Sequence, residues 1–265
     1  MLTDPVAVKL AEDRWWISIA DSDLLFWVKG VASGWRLDVL VDEPGVSPLA
    51  VQGPKAEELM ARVFGDAVRD IRFFRFDLLD FQGRELVVAR SGYSKQGGFE
   101  IYVEGGDIGM PLWNALMEAG KDLDVYAGCP NLIERIEGGL LSYGNDMTDD
   151  NTPHECGLGK FCNTHSAVGC IGRDALLRVA KEGPVQQVRA VAIEGGKLPP
   201  CDRWWRVRAG DEVVGRISSA AWSPDFDTNV AIGMIRMTHW TPGTQLEVDT
   251  QEGTFKAMVQ SKFWI

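Results

Sequence analysis

Histidine is scarce in this chain, three among 265 residues, and the motifs of the common hydrolytic and nucleotide-dependent sites are missing. There is no GxSxG, no P-loop and no GxGxxG, which removes the usual nucleophile elbow and the usual phosphate cradles. No run of eighteen apolar residues occurs, so no stretch reads as a membrane-spanning helix. The opening MLTDPVAVKLAEDR lacks the basic-then-apolar order of a signal peptide, and the expectation is a cytoplasmic protein. Five cysteines, an odd number without a CxxC, point to free thiols in a reducing compartment. Basic residues are in deficit as well: 27 against 38 acids leave a net charge of −11. That charge repels phosphate backbones and anionic lipid, so neither nucleic acid nor a membrane is expected as partner, and a small molecule is favoured.

What is present suffices for a large core. Apolar residues make up 45% of the chain, and 265 residues suit one large domain or two modest ones. Ten tryptophans, some in pairs such as Trp15 with Trp16 and Trp204 with Trp205, are expected mostly in the interior. PVAVKLAEDRWWISIA reads as two strands around an acidic turn. GPKAEELMARVFG has proline at its start, acids in its first turn and a closing glycine, and predicts a short helix. Strands are predicted in FFRFDLLDF, RELVVARSGY and FEIYVEG, the last two forming a hairpin over residues 84–104 with a glycine-rich tip. PLWNALMEAGKD, PNLIERIEGGLLSYG and IGRDALLRVAKEG predict further helices, and Asp146 to Gly169 reads as one long loop. Beyond Pro184 short strands alternate with turns, which predicts a small all-β domain of barrel type over residues 185–265.

Two stretches could carry chemistry. HECGLGKFCNTH brings His154, Cys156, Cys162 and His165 together, but zinc ligands usually come as two tight pairs, and the gaps here are one, five and two residues. The thiols are read as incidental and no metal is expected. In GYSKQGGFEIYVEG, Glu100 and Tyr102 lie two apart on a strand and project to one face, with Tyr93 before the turn. A carboxylate beside an aromatic wall suits a flat heterocycle with adjacent N–H donors, through paired charge-assisted hydrogen bonds. A glutamate on a solvated strand face is the competing reading.

Five stretches in order resemble the glycine-cleavage T-protein family, the tetrahydrofolate-dependent aminomethyltransferases. DPVAVKLAEDR is similar to the family's Asp-led strand with its acidic turn, and SGYSKQGGFEIY to its GYTGEDGFE folate signature. ERIEGGLLSYGNDM resembles LRLEAGxxLYGxD, CIGRDAL resembles FIGRxAL, and GRISSAAWSPDFDTNVAIGMI resembles GxVTSGxxSPxLxxxIALGYV. Two departures stand out: the family's Asp-Asp is Thr3-Asp4 here, and the arginine of its ARDxLRLEAG helix falls at Asn131, whereas Glu100, Arg135 and Glu137 are retained. Within the family, SPLAVQGPKA, RSGYSKQGGFE and ECGLGKFC look closest to a branch that demethylates a small sulfonium compound.

The resemblance implies an α+β fold, a mixed-sheet folate-binding region of the T-protein type over residues 1–184 followed by the C-terminal β-barrel over residues 185–265. It implies tetrahydrofolate as cofactor, with Glu100, Tyr93 and Asp4 as its contacts, and a sulfonium substrate facing Tyr102, Trp16 and Ser18. Cation–π attraction of about 0.5–2 kcal/mol makes aromatic walls suitable for that charge. No catalytic acid or base is implied, because a sulfonium is already a good leaving group and alignment of the reacting atoms supplies the catalysis. Glycine-cleavage chemistry, another folate-dependent demethylation, and a non-catalytic folate- or partner-binding role stay open as alternatives. Family members carry further residues before the first strand here, so the expected assembly is a homodimer or a complex with a complementing N-terminal chain, and an aggregation-prone polypeptide without one.

Overall fold

The computed structural model describes residues 1–19, 23–166 and 169–265. Ala167 and Val168, inside the expected long loop, lie outside the described residues. The chain divides into two compact units, Val6–Asn131 and Met1–Pro5 with Leu132–Ile265.

The first unit opens with the expected hairpin, β1 (Val6–Lys9) and β2 (Trp15–Ser18), paired antiparallel from Val6↔Ser18 to Lys9↔Trp15. Helix α1 (Leu24–Gly34) follows, then β3 (Val46–Gln52) and α2 (Ala56–Phe64). Strands β4 (Phe76–Phe81), β5 (Arg84–Ala89) and β6 (Gly98–Glu104) and helix α3 (Gly109–Ala119) complete it. The four-stranded sheet has the order β3-β6-β5-β4, with antiparallel pairing throughout. Pro48 sits within β3 without breaking it, because β3 is an edge strand where a missing N–H leaves no ladder bond unmade.

The strand period of two decides what each sheet face touches. Phe99, Ile101 and Val103 of β6, with Leu86 and Val88 of β5, pack against Leu59 and Met60 of α2 and Leu112 and Leu116 of α3. Their neighbours Tyr102, Val87 and Ala89 face the other way and form a second cluster with Val8, Val6 and Trp16 of the β1–β2 hairpin. Helix α2 forms where expected, with Glu57 and Glu58 in its first turn, Arg62 in its last and Gly65 closing it.

The second unit contains α4 (Leu132–Glu137), α5 (Arg173–Glu182) and six strands: β7 (Gln186–Ile193), β8 (Trp205–Ala209), β9 (Glu212–Ser223), β10 (Thr228–Arg236), β11 (Gln245–Thr250) and β12 (Gly253–Val259). The six strands close into a barrel in the order β10-β7-β12-β11-β8-β9. Val191, Val207, Ile217, Ile235 and Val248 fill it, while Val188, Val230, Ile232 and Met234 form a second cluster with Ile136 and Met147. Gly233 leaves room for neighbours inside the barrel wall, since a Cβ there would lie 2.9 Å from Ile217 Cδ1.

The segment after α4 is tied to β9 by a buried polar network. Arg135 Nη1 donates to Asp146 Oδ2 at 2.9 Å and Arg135 Nη2 to Ser219 Oγ at 2.7 Å. Ser218 Oγ and Ser219 Oγ each donate to Asp146 Oδ1 at 2.6 Å, and the Ser142 N–H reaches Asp146 Oδ2 at 2.8 Å. Glu137 accepts from Ser223 Oγ at 2.5 Å. Arg135 and Glu137, which the resemblance singled out, therefore serve the packing of their own unit here.

The tryptophan pairs split instead of burying both rings. Trp205 is in the barrel core and Trp16 is half-buried, while Trp15 and Trp204 are exposed. Trp15 and Trp16 are successive residues of β2 and point to opposite faces, whereas Trp204 precedes the start of β8 at Trp205.

Candidate functional site

The hairpin between β5 and β6 builds the site. Ladder pairing of these strands runs from Val87↔Tyr102 to Ala89↔Glu100, so Glu100 occupies the last paired position before the strands part. It shares its face with Tyr102, as the period of two predicts. Ser91 Oγ donates to Glu100 Oε2 at 2.5 Å, and Ser91 is itself buried.

Tyr102 is 3% exposed, and its hydroxyl is buried without a hydrogen-bond partner. Leaving such a group unpaired costs about 1–3 kcal/mol, which is a feature of sites that complete themselves with a ligand. Burial, the largest influence, pushes the Tyr102 phenol up; Ser18 opposes that shift and the Glu100 carboxylate adds to it. Ser18 thus faces the phenol from β2, beyond full hydrogen-bond geometry. Trp16, two residues earlier on the same face of β2, has its ring centroid 5.9 Å from that of Tyr102, with the planes tilted by 36°. Four expected site residues, Glu100, Tyr102, Trp16 and Ser18, are therefore brought together on one side of the sheet.

The other two are the most solvent-exposed of the six. Tyr93 is 37% exposed at the tip of the β5–β6 hairpin. Asp4 belongs to the other compact unit, where partial burial raises its carboxyl pKa although the residue stays exposed to solvent.

The glycines of the hairpin are required by close approach. A Cβ on Gly92 would lie 2.1 Å from Gln52 Oε1, and one on Gly98 would lie 2.2 Å from the Val51 carbonyl oxygen. The space they leave is filled by the Gln52 amide: its Nε2 donates to Ser91 O at 3.0 Å and to Phe99 O at 3.2 Å, and its Oε1 accepts from Ser94 Oγ at 2.7 Å. Sequence reasoning missed Gln52 and Ser91. The only sequence signal for them is the pair of glycines flanking the turn.

HECGLGKFCNTH holds no metal-type cluster: among the described residues no group of three or more His, Cys, Asp or Glu side chains could hold an ion. Cys156 is buried, and burial pushes its thiol up to about 11. The ring of His154 occupies the space a side chain at Gly159 would take, with Nδ1 2.6 Å from that Cβ position.

Residues 1–166 match the GCVT N-terminal domain, and residues 188–264 match the glycine cleavage T-protein C-terminal barrel domain. A dimethylsulfoniopropionate demethylase of Ruegeria pomeroyi is 62% identical over 264 residues, covering 100% of this chain and 72% of its own length. An aminomethyltransferase of Symbiobacterium thermophilum is 30% identical over 272 residues, with 98% of this chain and 71% of that protein covered. A further aminomethyltransferase, from Caldanaerobacter subterraneus, is 30% identical over 240 residues, and the match spans 63% of its length. Among solved structures, the glycine cleavage system aminomethyltransferase T from Bartonella henselae superimposes with a TM-score of 0.85 at 22% identity, over 100% of this chain and 72% of that one.

Proposed function

The chain belongs to the glycine cleavage T-protein family, and on that premise we propose that it is a tetrahydrofolate-dependent demethylase of dimethylsulfoniopropionate. The 62% identity over the whole chain carries the choice of substrate. In the reaction the S–CH3 bond of the sulfonium breaks, a bond from that methyl to folate N5 forms, and the N5 proton is released. The products are methylmercaptopropionate and 5-methyltetrahydrofolate. Tetrahydrofolate supplies the nucleophilic nitrogen; the residues of this chain bind and align.

Glu100 accepts hydrogen bonds from the pterin N–H groups with the oxygen that Ser91 leaves available. The Tyr102 and Trp16 rings face the sulfonium, and the buried Tyr102 hydroxyl, with Ser18 beside it, offers a hydrogen bond to a bound ligand. The aromatic faces attract the sulfonium end of the substrate by about 0.5–2 kcal/mol. Tyr93 and Asp4 are further folate contacts in this reading. The division into a folate-binding region over residues 1–184 and a barrel over residues 185–265 belongs to it too, supported by the start of β7 at Gln186. A cytoplasmic setting, one-carbon and sulfur metabolism as the context, and assembly as a homodimer or with a complementing N-terminal chain complete the proposal. The exposed apolar side chains Trp15, Ile17, Phe26 and Trp35 support an assembled state. No helix among the described residues is long and apolar enough to cross a membrane.

The test is NMR or mass-spectrometric detection of 5-methyltetrahydrofolate after mixing the purified chain with tetrahydrofolate and dimethylsulfoniopropionate. A parallel run takes aminomethylated carrier protein as donor and detects 5,10-methylenetetrahydrofolate and ammonia. Methyl transfer from the sulfonium alone is expected. Product only from the carrier protein would replace this reading with the aminomethyltransferase one.

A further inference from the structure

We propose that Ser91 and Gln52 are positioning residues that set the ligand-facing carboxylate of Glu100, an inference that rests on Glu100 being the pterin contact. Ladder pairing between β5 and β6 ends at Ala89↔Glu100, while on its other side β6 stays paired with β3 through Ala50↔Glu100 to Gln52↔Gly98, so beyond Glu100 the sheet holds β6 from the β3 side alone. Beyond that rung the two strands diverge around a turn in which Lys95 and Gly97 have φ of 62° and 80°. The Gln52 side chain takes over where the ladder stops. Its single Nε2 group reaches the Ser91 carbonyl at 3.0 Å and the Phe99 carbonyl at 3.2 Å, one from each limb of the hairpin mouth. Ser94 Oγ holds the other end of the amide at 2.7 Å, and Gly53 N bonds Gly97 O at 3.0 Å, which joins the end of β3 to the same turn.

Ser91 transmits this to the carboxylate. The residue is 5% exposed, and its hydroxyl has one proton, which it gives to Glu100 Oε2 at 2.5 Å. A hydroxyl donor on one oxygen selects a side-chain rotamer and leaves the second oxygen to a ligand. The geometry of the bond depends on where the Ser91 backbone sits, and the Gln52 amide holds its carbonyl. Gly92 and Gly98 admit no side chain because the same amide, and the strand bearing it, already fill that space.

The experiment measures tetrahydrofolate affinity by calorimetry, under anaerobic conditions, for the full chain and for Ser91→Ala, Ser91→Thr, Gln52→Ala, Glu100→Gln and the Ser91→Ala/Glu100→Gln double variant. Thermal melts are run on each. Loss of a hydrogen bond to a charged group predicts affinity about 10- to 100-fold weaker for Ser91→Ala, with Ser91→Thr close to wild type because it restores the hydroxyl. The double variant is expected to bind no worse than Glu100→Gln, since Ser91 acts through that carboxylate. If Glu100→Gln binds as well as wild type, the pterin assignment falls and this proposal with it. If Glu100→Gln is weak but Ser91→Ala is not, or if the two losses add, the positioning role is overturned while the pterin assignment stands. Should Gln52→Ala fail to fold, the serine pair of variants decides the matter alone.

Discussion

Replacing Asp146 by alanine should destabilise the barrel-containing unit more than any surface change. The Asp146 side chain has no exposure and accepts from four donors, the Arg135 guanidinium, the Ser142 N–H and the hydroxyls of Ser218 and Ser219, at 2.6 to 2.9 Å. Arg135 is almost as deeply placed, with 11% of its side chain exposed. Removing the acid strands a buried positive charge and three neutral donors, and breaking a buried pair in this way costs about 3–5 kcal/mol. At about 2–4 °C per kcal/mol for a protein of this size, the melting temperature should fall by about 6–20 °C. Scanning calorimetry measures the loss, and tryptophan emission reports it locally because Trp204 Nε1 donates to the carbonyl of Asn145, next to Asp146, at 3.2 Å. The sign of a second variant tests the reasoning: Arg135→Met combined with Asp146→Leu removes both charges and should recover most of the stability. A single variant within about 1 kcal/mol of wild type, or a double variant worse than the single, would refute the assignment of this network as a charge held only by its partners.

Other perturbations have equally definite outcomes. Gly98→Ala would push a Cβ to 2.2 Å from the Val51 carbonyl oxygen and should cost about 1–3 kcal/mol and weaken folate binding, whereas Gly106→Ala, with open space around it, should melt like wild type. Burial pushes the Cys156 and Cys201 thiols up to about 11, so at pH 8 only about one molecule in a thousand carries either thiolate. Iodoacetamide at that pH should label the exposed Cys129 and Cys170 and reach Cys156 and Cys201 only after denaturation, as peptide mass spectrometry would show. Trp15, Ile17, Phe26, Trp35 and Leu40 leave large apolar surface on β2, α1 and the coil after it, so analytical centrifugation should find dimers or larger species at micromolar concentration. A monomer with a cooperative melt would contradict that.

The legible parts of the fold were those with local signals. Helix α2 has its proline, acids and closing glycine in the right order, and the turns beyond Pro184 mark out the barrel strands. Helix α1 has no local signal: LLFWVKGVASG holds one charge, Lys29, and two glycines, has no acid in its first turn or base in its last, and Asp23 precedes it without a capping bond. Strand β3 was hidden by Pro48, which only its edge position makes tolerable. In the site, the shared face of Glu100 and Tyr102 followed from strand period, and so did that of Trp16 with Ser18. That the two faces meet is a tertiary fact, visible only in the 5.9 Å approach of Trp16 to Tyr102. Gln52 and Ser91 are 39 residues apart and could not be paired from sequence. The Asp146 network was out of reach for the same reason, since its serines come 72 and 73 residues later.

The order of strands in the barrel has a consequence for synthesis. Strand β7 is the first of the six to leave the ribosome, and its two neighbours are β10 and β12, the fourth and the last. A nascent chain therefore carries β7 with open backbone groups on both sides until β10 is made, and the cylinder cannot seal until Gly253–Val259 has emerged. A chain stalled or cleaved within β11 would present the Gln186–Ile193 edge to other nascent chains. Completion of translation, more than any local helix or hairpin, decides when this half of the molecule stops being sticky.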